Sequence, residues 1–125
     1  MDSERFEKGL EIRRAVGGAN AIDRAFENAN DFNMPIQELV TEYCFGEIWA
    51  RPDLDRRSRS ILNIGMIAAL NRPEELAGHI RGAINNGVTK VEIRECLLQV
   101  AVYCGMPIGI MSFRVATTVL DELGI

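Results

Sequence analysis

Residues 96–113 read CLLQVAVYCGMPIGIMSF, and none of these 18 consecutive side chains carries a charge. A run of this length is close to that of a transmembrane helix. Gly105 and Pro107 interrupt it near its middle, however, and each half is too short to cross a bilayer. We therefore predict two buried helical segments that meet at a bend.

The rest of the chain also carries helical start and stop signals, with no run of alternating β-branched residues. Gly17 and Gly18 end a first amphipathic helix, and Thr89 and Glu92 stand at the spacing of a capping box. Gly87 is predicted to cap a helix in the left-handed conformation. The predicted fold class is all-α, with about seven helices over residues 4–16, 19–30, 35–49, 55–70, 73–85, 89–105 and 107–124.

The composition is that of one soluble domain over residues 1–125. Of its 125 residues 47% are hydrophobic and 26% are charged, and the formal net charge is -4. An acidic chain lacks the excess of cations that sequence-independent nucleic-acid binding requires. The first residues show neither a secretory leader nor a lipidation motif. We predict a cytoplasmic protein with no nucleic-acid or membrane partner.

The cysteines and the histidine limit the chemistry that is possible. Cys44, Cys96 and Cys104 form no CxxC pair. Cys96 and Cys104 lie about 12 Å apart along one predicted helix, which is too far for a disulfide. Thiol–disulfide catalysis through adjacent cysteines is therefore excluded. His79 is the only histidine, and without a second ligand at metal spacing it does not predict a zinc site.

The predicted fourth helix is apolar on nearly all sides. A helix of this kind must be covered all round, but a domain of 125 residues buries only about two thirds of the surface of its unfolded chain. A neighbouring subunit is the simplest source of further cover, so we predict a homo-oligomer. The apolar residues of this helix are Ile61, Leu62, Ile64, Met66, Ile67 and Leu70.

Glu47 lies within an apolar stripe of the predicted third helix. A carboxylate on an inward face needs a partner or a functional role, because burial disfavours its charged form. Alternatively, Gly46 lets Glu47 swing outward, or an arginine pairs with it. At 100° per residue the stripe consists of Ile36, Leu39, Val40, Tyr43, Cys44 and Ile48.

His79 lies at the boundary of the apolar stripe of the fifth helix, about 100° from its centre. A boundary histidine suits the rim of a pocket and can exchange a proton near neutral pH. The alternative is a structural histidine held by hydrogen bonds. The stripe consists of Leu76, Ile80, Ala83 and Ile84.

Cys104 and a cluster of arginines are two further candidates for contact with a ligand. Cys104 falls on the inward stripe of the sixth helix, where it is predicted to be a small core residue. Arginines 51, 56, 57 and 59 lie within nine residues. They form either a solvated helix start or a site for a ligand carboxylate.

Several segments carry a recognisable signature: LVTEYCFGEIW at 39–49, RP at 51–52, LDRRSRS at 54–60, HIRGA at 79–83, NNGVT at 85–89, EIRE at 92–95, and VYCG at 102–105 followed by Pro107. Together they extend from about residue 31 to residue 114. They resemble the carboxymuconolactone decarboxylase family, specifically its 4-carboxymuconolactone branch.

The resemblance implies the all-α fold of the alkylhydroperoxidase D proteins, assembled as a homo-oligomer, hexamer or trimer. It implies cofactor-independent decarboxylation of 4-carboxymuconolactone to 3-oxoadipate enol-lactone and CO₂ in protocatechuate catabolism. An arginine of the cluster, Arg51 or Arg59, would bind the retained carboxylate. Either His79 or protonated Glu47 would supply the proton while the other polarises the carbonyl. Tyr103 and Cys104 would line the pocket, and no metal is implied.

The chain departs from the family pattern in two places. Residues 106–111 read MPIGIM where the family is rich in Ala and Val, and Phe45 stands in place of Trp. Larger apolar side chains would reshape the pocket, so a related lactone is a further candidate substrate. The main alternative is a peroxidase of the wider superfamily, whose members use a CxxC pair and a nearby His, whereas this chain has a single Cys at the corresponding place. A non-catalytic helical assembly module is the third possibility.

Overall fold

The computed structural model describes residues 1–125, and all of its regular elements are helical. Seven helices form, as predicted, and there is no strand. The third helix begins as α3 and continues in π-helical geometry, a stretch named here the π segment. The elements are α1 (Ser3–Gly17), α2 (Ala19–Glu27), α3 (Met34–Leu39), the π segment (Val40–Trp49), α4 (Arg56–Ala69), α5 (Pro73–Asn85), α6 (Lys90–Cys104) and α7 (Met106–Leu123).

The predicted helix boundaries around α6 are confirmed. The Thr89 hydroxyl accepts a hydrogen bond from the Glu92 amide at 3.1 Å, and the Glu92 carboxylate accepts one from the Thr89 amide at 2.9 Å. This reciprocal pair is the predicted capping box. Gly105, with φ +112°, separates α6 from α7 in a conformation that favours glycine. None of the helices is both long enough and apolar enough to span a membrane.

The π segment changes which residues of the third helix face inward. Its hydrogen bonds run between residues five apart, so each residue turns the helix through less than the 100° assumed for an α-helix. The predicted apolar stripe is therefore wrong within this segment, where Tyr43 and Ile48 are exposed and Thr41 and Trp49 are buried. Ile36 and Leu39 of α3 are exposed as well.

The chain forms two compact units, unit 1 over residues 1–55 and unit 2 over residues 56–125. In unit 1, α1 packs on the π segment through two glycines. A Cβ atom on Gly9 would overlap the Thr41 carbonyl, and one on Gly46 would overlap the Arg5 carbonyl. The two backbones therefore lie in close contact. The buried apolar residues of this unit are Ile12, Val16 and Trp49.

In unit 2, helices α4 to α7 enclose a larger core. Gly109 of α7 lies against Ala101 of α6, where a Cβ atom on the glycine would overlap the alanine side chain. This contact brings the two halves of the uncharged run together close to the bend at Gly105. The largest fully buried side chains of the unit include Ile64, Leu76, Ile80, Ile93, Leu97 and Val119.

The uncharged run is only partly buried, which corrects the prediction that both of its halves are buried. Each helix packs one face on the rest of unit 2 and leaves the other face open. The buried members include Leu97, Val100, Ala101, Gly109 and Ser112. The exposed large members are Leu98, Val102, Tyr103, Met106 and Ile110.

Candidate active site

Glu47 lies near the end of the π segment, in unit 1, and 42% of its side chain is exposed. Its carboxylate lies 3.5 Å from a guanidinium nitrogen of Arg5, a residue of α1. Arg5 also lies 3.7 Å from the carboxylates of both Asp2 and Glu42. The predicted inward position of Glu47 is therefore wrong, and of the alternatives that the sequence left open the structure shows both an exposed carboxylate and pairing with an arginine. That arginine comes from α1, not from the cluster at 51–59.

An open groove of about 810 Å³ runs along α1 beside Glu47. Five carboxylates and three cations line it, together with Leu10 and Gly46. Because water reaches charged groups in such a groove, their interactions with one another are weak. Glu47 is open to solvent there and lacks the dry surroundings that strengthen electrostatic catalysis.

The four clustered arginines do not form one uniform surface. Arg51, in unit 1, is exposed and lies 4.0 Å from Asp53, as expected of a solvated turn. Arg57, in unit 2, pairs with Glu92 in the first turn of α6. Arg59 is half-buried on α4. Of the two arginines predicted to bind a carboxylate, Arg59 is therefore the less exposed.

His79 is half-buried on α5 in unit 2, one helical turn after Glu75. The predicted boundary position is confirmed. Burial lowers the pKa of His79 below its usual value of 6.5, and the nearby Glu75 carboxylate acts in the opposite direction. The imidazole is therefore mostly neutral near pH 7, with one nitrogen as a donor and the other as an acceptor.

Tyr103 and Cys104 end α6 and point away from the core of unit 2. Tyr103 is 81% exposed, and the Cys104 thiol is exposed as well. The prediction that Cys104 is a small core residue is wrong. Ile93, Leu97 and Val100 of the same predicted stripe are buried, but α6 ends at Cys104 and the chain turns at Gly105. Cys104 consequently lies at the edge of the packed α6–α7 pair.

The sequence did not predict that α1 contributes to the surroundings of the π segment. Arg13 donates a hydrogen bond to the Thr41 hydroxyl at 3.0 Å, and its guanidinium carbon lies 5.7 Å from the ring centroid of Phe26. Gly9 is the signal that was available. A glycine inside a helix costs about 1 kcal/mol relative to alanine, so it often marks a close contact.

Two apolar depressions lie in unit 2. One, of about 460 Å³, runs between α4 and α6 and includes Leu62 and Met66. The other, of about 250 Å³, lies between α6 and α7 and includes Lys90 and Phe113. None of the predicted site residues lines either of them. The His, Cys, Asp and Glu side chains form no group of three or more that could hold a metal ion.

Comparison with known proteins places these residues in a family context. The sequence model described as the carboxymuconolactone decarboxylase family matches residues 35–118. A 4-carboxymuconolactone decarboxylase of Acinetobacter baylyi is 40% identical over 124 residues, which cover 99% of this chain and 92% of that protein. The nitrosuccinic acid decarboxylase npaB of Metarhizium robertsii is 44% identical over 118 residues, which cover 94% of this chain and 82% of that protein.

Proposed function

The chain belongs to the carboxymuconolactone decarboxylase family, and from this membership we propose that it converts 4-carboxymuconolactone to 3-oxoadipate enol-lactone and CO₂. The two relatives that match almost its whole length are named as decarboxylases, so it is a carboxy-lyase. The near-full-length match to the bacterial 4-carboxymuconolactone decarboxylase is the observation that carries this choice of substrate. The proposed physiological setting is the breakdown of protocatechuate.

The proposed reaction requires binding of an anion, stabilisation of developing charge and delivery of one proton. When CO₂ leaves the ring carbon, its electron pair moves through the adjacent double bond to the lactone carbonyl oxygen. The resulting dienolate is stabilised by a hydrogen-bond donor at that oxygen, and a proton from whichever of His79 and Glu47 does not polarise the carbonyl then reaches carbon. Because the substrate accepts its own electrons, this step does not require a cofactor.

His79 is the stronger candidate for the central acid–base role. It is half-buried, and its lowered pKa leaves an imidazole that can donate an N–H to the carbonyl oxygen when neutral or a proton to carbon when charged. Glu47, by contrast, is paired with Arg5 in an open, charged groove. The acid–base role of Glu47 therefore stays a prediction, with less support than that of His79.

The proposed substrate-binding residues are Arg51, Arg59, Tyr103 and Cys104. Arg59 is favoured over Arg51 for the carboxylate that the substrate retains, because attraction between charges is stronger where water is partly excluded. Tyr103 and Cys104 are exposed and therefore accessible to a ligand. Their contribution is proposed to be shape rather than charge.

Nitrosuccinic acid is the second candidate substrate, and the 44% identity to the fungal nitrosuccinic acid decarboxylase favours it. Its chemistry has the same outline as that of the lactone. The nitro group accepts the electrons left by the departing carboxylate, and a second carboxylate remains. A related lactone fits this outline as well. The proposed substrate class is therefore a dicarboxylic acid that carries its own electron sink.

Release of CO₂ by the purified protein tests this proposal directly. We expect a higher kcat/KM with 4-carboxymuconolactone than with nitrosuccinic acid, and loss of turnover in His79→Ala with either acid. Turnover of nitrosuccinic acid alone would establish the second candidate instead. If neither acid is decarboxylated while thiol-dependent consumption of peroxide is observed, the proposed function is wrong and the peroxidase alternative is favoured.

A further inference from the structure

Arg13 of unit 1 is a half-buried arginine that forms no ion pair with a carboxylate. Two other arginines of α1 do form such pairs: Arg5 lies 3.5 Å from Glu47, and Arg14 lies 3.1 Å from Asp23. Arg13 instead binds the Thr41 hydroxyl and lies against the ring of Phe26. Burial lowers its pKa, as expected for a cation partly withdrawn from water without an anionic partner.

The thiol of Cys44 does not supply the missing negative charge. Cys44 is close enough to Arg13 for their charges to interact, but burial raises the pKa of its thiol above the usual value. The thiol therefore stays protonated and neutral near pH 7. Trp49, which lies beside Cys44, carries no charge either. The surroundings of the Arg13 guanidinium are consequently polar and aromatic but not anionic.

Thr41 holds the Arg13 guanidinium in place. Thr41 is fully buried, and its hydroxyl donates to the carbonyl oxygen of Gln37 at 2.7 Å. The hydroxyl oxygen therefore accepts from Arg13, and the direction of this bond is determined. A guanidinium carries five N–H donors, so most of those on Arg13 are not used by Thr41.

We propose that Arg13, positioned by Thr41, is an anion-binding site of unit 1 that takes the carboxylate group of a small organic acid. A carboxylate can receive two parallel N–H bonds from a guanidinium, and its charge would compensate the cation. The site is additional to Arg51 and Arg59, the arginines proposed above to bind a carboxylate. It does not depend on which acid the protein decarboxylates.

Titration with succinate tests the site, because this dicarboxylate has no electron sink and stays intact. Trp49 is the only tryptophan and lies beside Cys44, so its fluorescence reports on the site. Calorimetry in an Arg59→Met background, which lacks the arginine proposed to bind the substrate carboxylate, is the second measurement. We expect saturable binding to the wild-type protein and a Kd at least about tenfold higher in Arg13→Met, since charge-assisted bonds are lost. Arg13→Lys should weaken binding less, because it keeps the charge but loses the fork geometry.

Arg14→Met is the matched control, because it removes a neighbouring arginine of the same helix that is already paired. It should bind succinate as the wild type does. Three results would overturn the proposal: no saturable binding to the wild type, an unchanged Kd in Arg13→Met, or an equal loss in Arg14→Met. If circular dichroism shows that Arg13→Met does not fold, Arg13→Lys decides the question, and an unchanged Kd in that variant overturns the site.

The site and the proposed function fail in different experiments. If the protein binds succinate through Arg13 but releases CO₂ from neither candidate acid, the proposed site stands and the proposed substrates are wrong. If it releases CO₂ but Arg13→Met has no effect on succinate binding, the proposed function stands and the proposed site is wrong.

Discussion

At His79, two effects act on the same imidazole: burial lowers its pKa and Glu75 opposes this change. His79→Ala removes the donor and the proton carrier together. We expect turnover to fall about 100-fold or more, the usual scale for loss of an acid–base group. The initial rate of CO₂ release measures this, and the circular dichroism spectrum controls for folding. Turnover close to that of the wild type would exclude His79 from the mechanism.

The pH dependence of kcat distinguishes two roles for His79. A general acid must be protonated, so kcat would fall as pH rises through the His79 pKa, which lies below 6.5. A neutral donor to the carbonyl must be unprotonated, so kcat would fall as pH decreases through the same value. We expect the second profile, because the lowered pKa leaves the imidazole neutral near pH 7.

Glu75→Gln is the matched variant for this pH profile. It removes the carboxylate that raises the pKa of His79, so the midpoint of the profile should move to lower pH. A midpoint that does not move in Glu75→Gln would show that another group titrates. The midpoint moves to lower pH for either role of His79. For a general acid, the part of the profile that moves is the fall in kcat with rising pH. For a neutral donor, it is the fall in kcat with decreasing pH.

Between the elements of unit 1, the close contact of α1 with the π segment depends on Gly9. In Gly9→Ala the new methyl group would overlap the Thr41 carbonyl, a backbone atom that cannot move aside cheaply. We expect a loss of roughly 1–3 kcal/mol in the free energy of unfolding, the usual cost of overpacking. Thermal unfolding followed by circular dichroism measures it.

Gly78→Ala is the control for this measurement. Gly78 lies in α5, and a Cβ atom there would meet nothing within 4 Å. The substitution should raise the melting temperature, because alanine is favoured over glycine in a helix interior by about 1 kcal/mol. Equal melting temperatures for Gly9→Ala and Gly78→Ala would contradict the close approach of the two backbones.

For the whole molecule, the open apolar face of α4 supports the proposed homo-oligomer. Leu62 is 53% and Met66 is 46% exposed, and both line the groove between α4 and α6. We expect light scattering to give a multiple of the 13.9 kDa chain mass, and Leu62→Glu with Met66→Glu to lower that mass because buried carboxylates are costly. Leu123→Glu, on an exposed leucine outside this groove, should leave the mass unchanged. A monomeric wild type would refute the prediction.

The helices were largely predictable because their signals are local. The capping box at Thr89 and the turn at Gly105 involve residues a few positions apart in the chain. The half-buried position of His79 followed from the periodicity of α5 for the same reason. The exposure of side chains was less predictable. Cys104 and Tyr103 belong to an uncharged stretch but are exposed, because burial depends on whether a neighbouring element covers a residue.

In the π segment, the periodicity of an α-helix does not predict which residues face inward. Its wider turn moves Thr41 inward and Tyr43 outward, and no pattern of apolar residues indicated this change. The partners of Glu47 and Thr41 were not predictable from the sequence either, because Arg5 and Arg13 belong to another helix.

By itself, the sequence determined the all-α class, the order of the helices and, through the signature residues, the family. Tertiary structure alone decided that Glu47 pairs with Arg5 and that Arg13 lies half-buried without a carboxylate. The physical reason is the range of the interactions. Caps and turns act within a few residues, whereas Arg13 and Thr41 are 28 residues apart and meet only because two glycines allow their helices to touch.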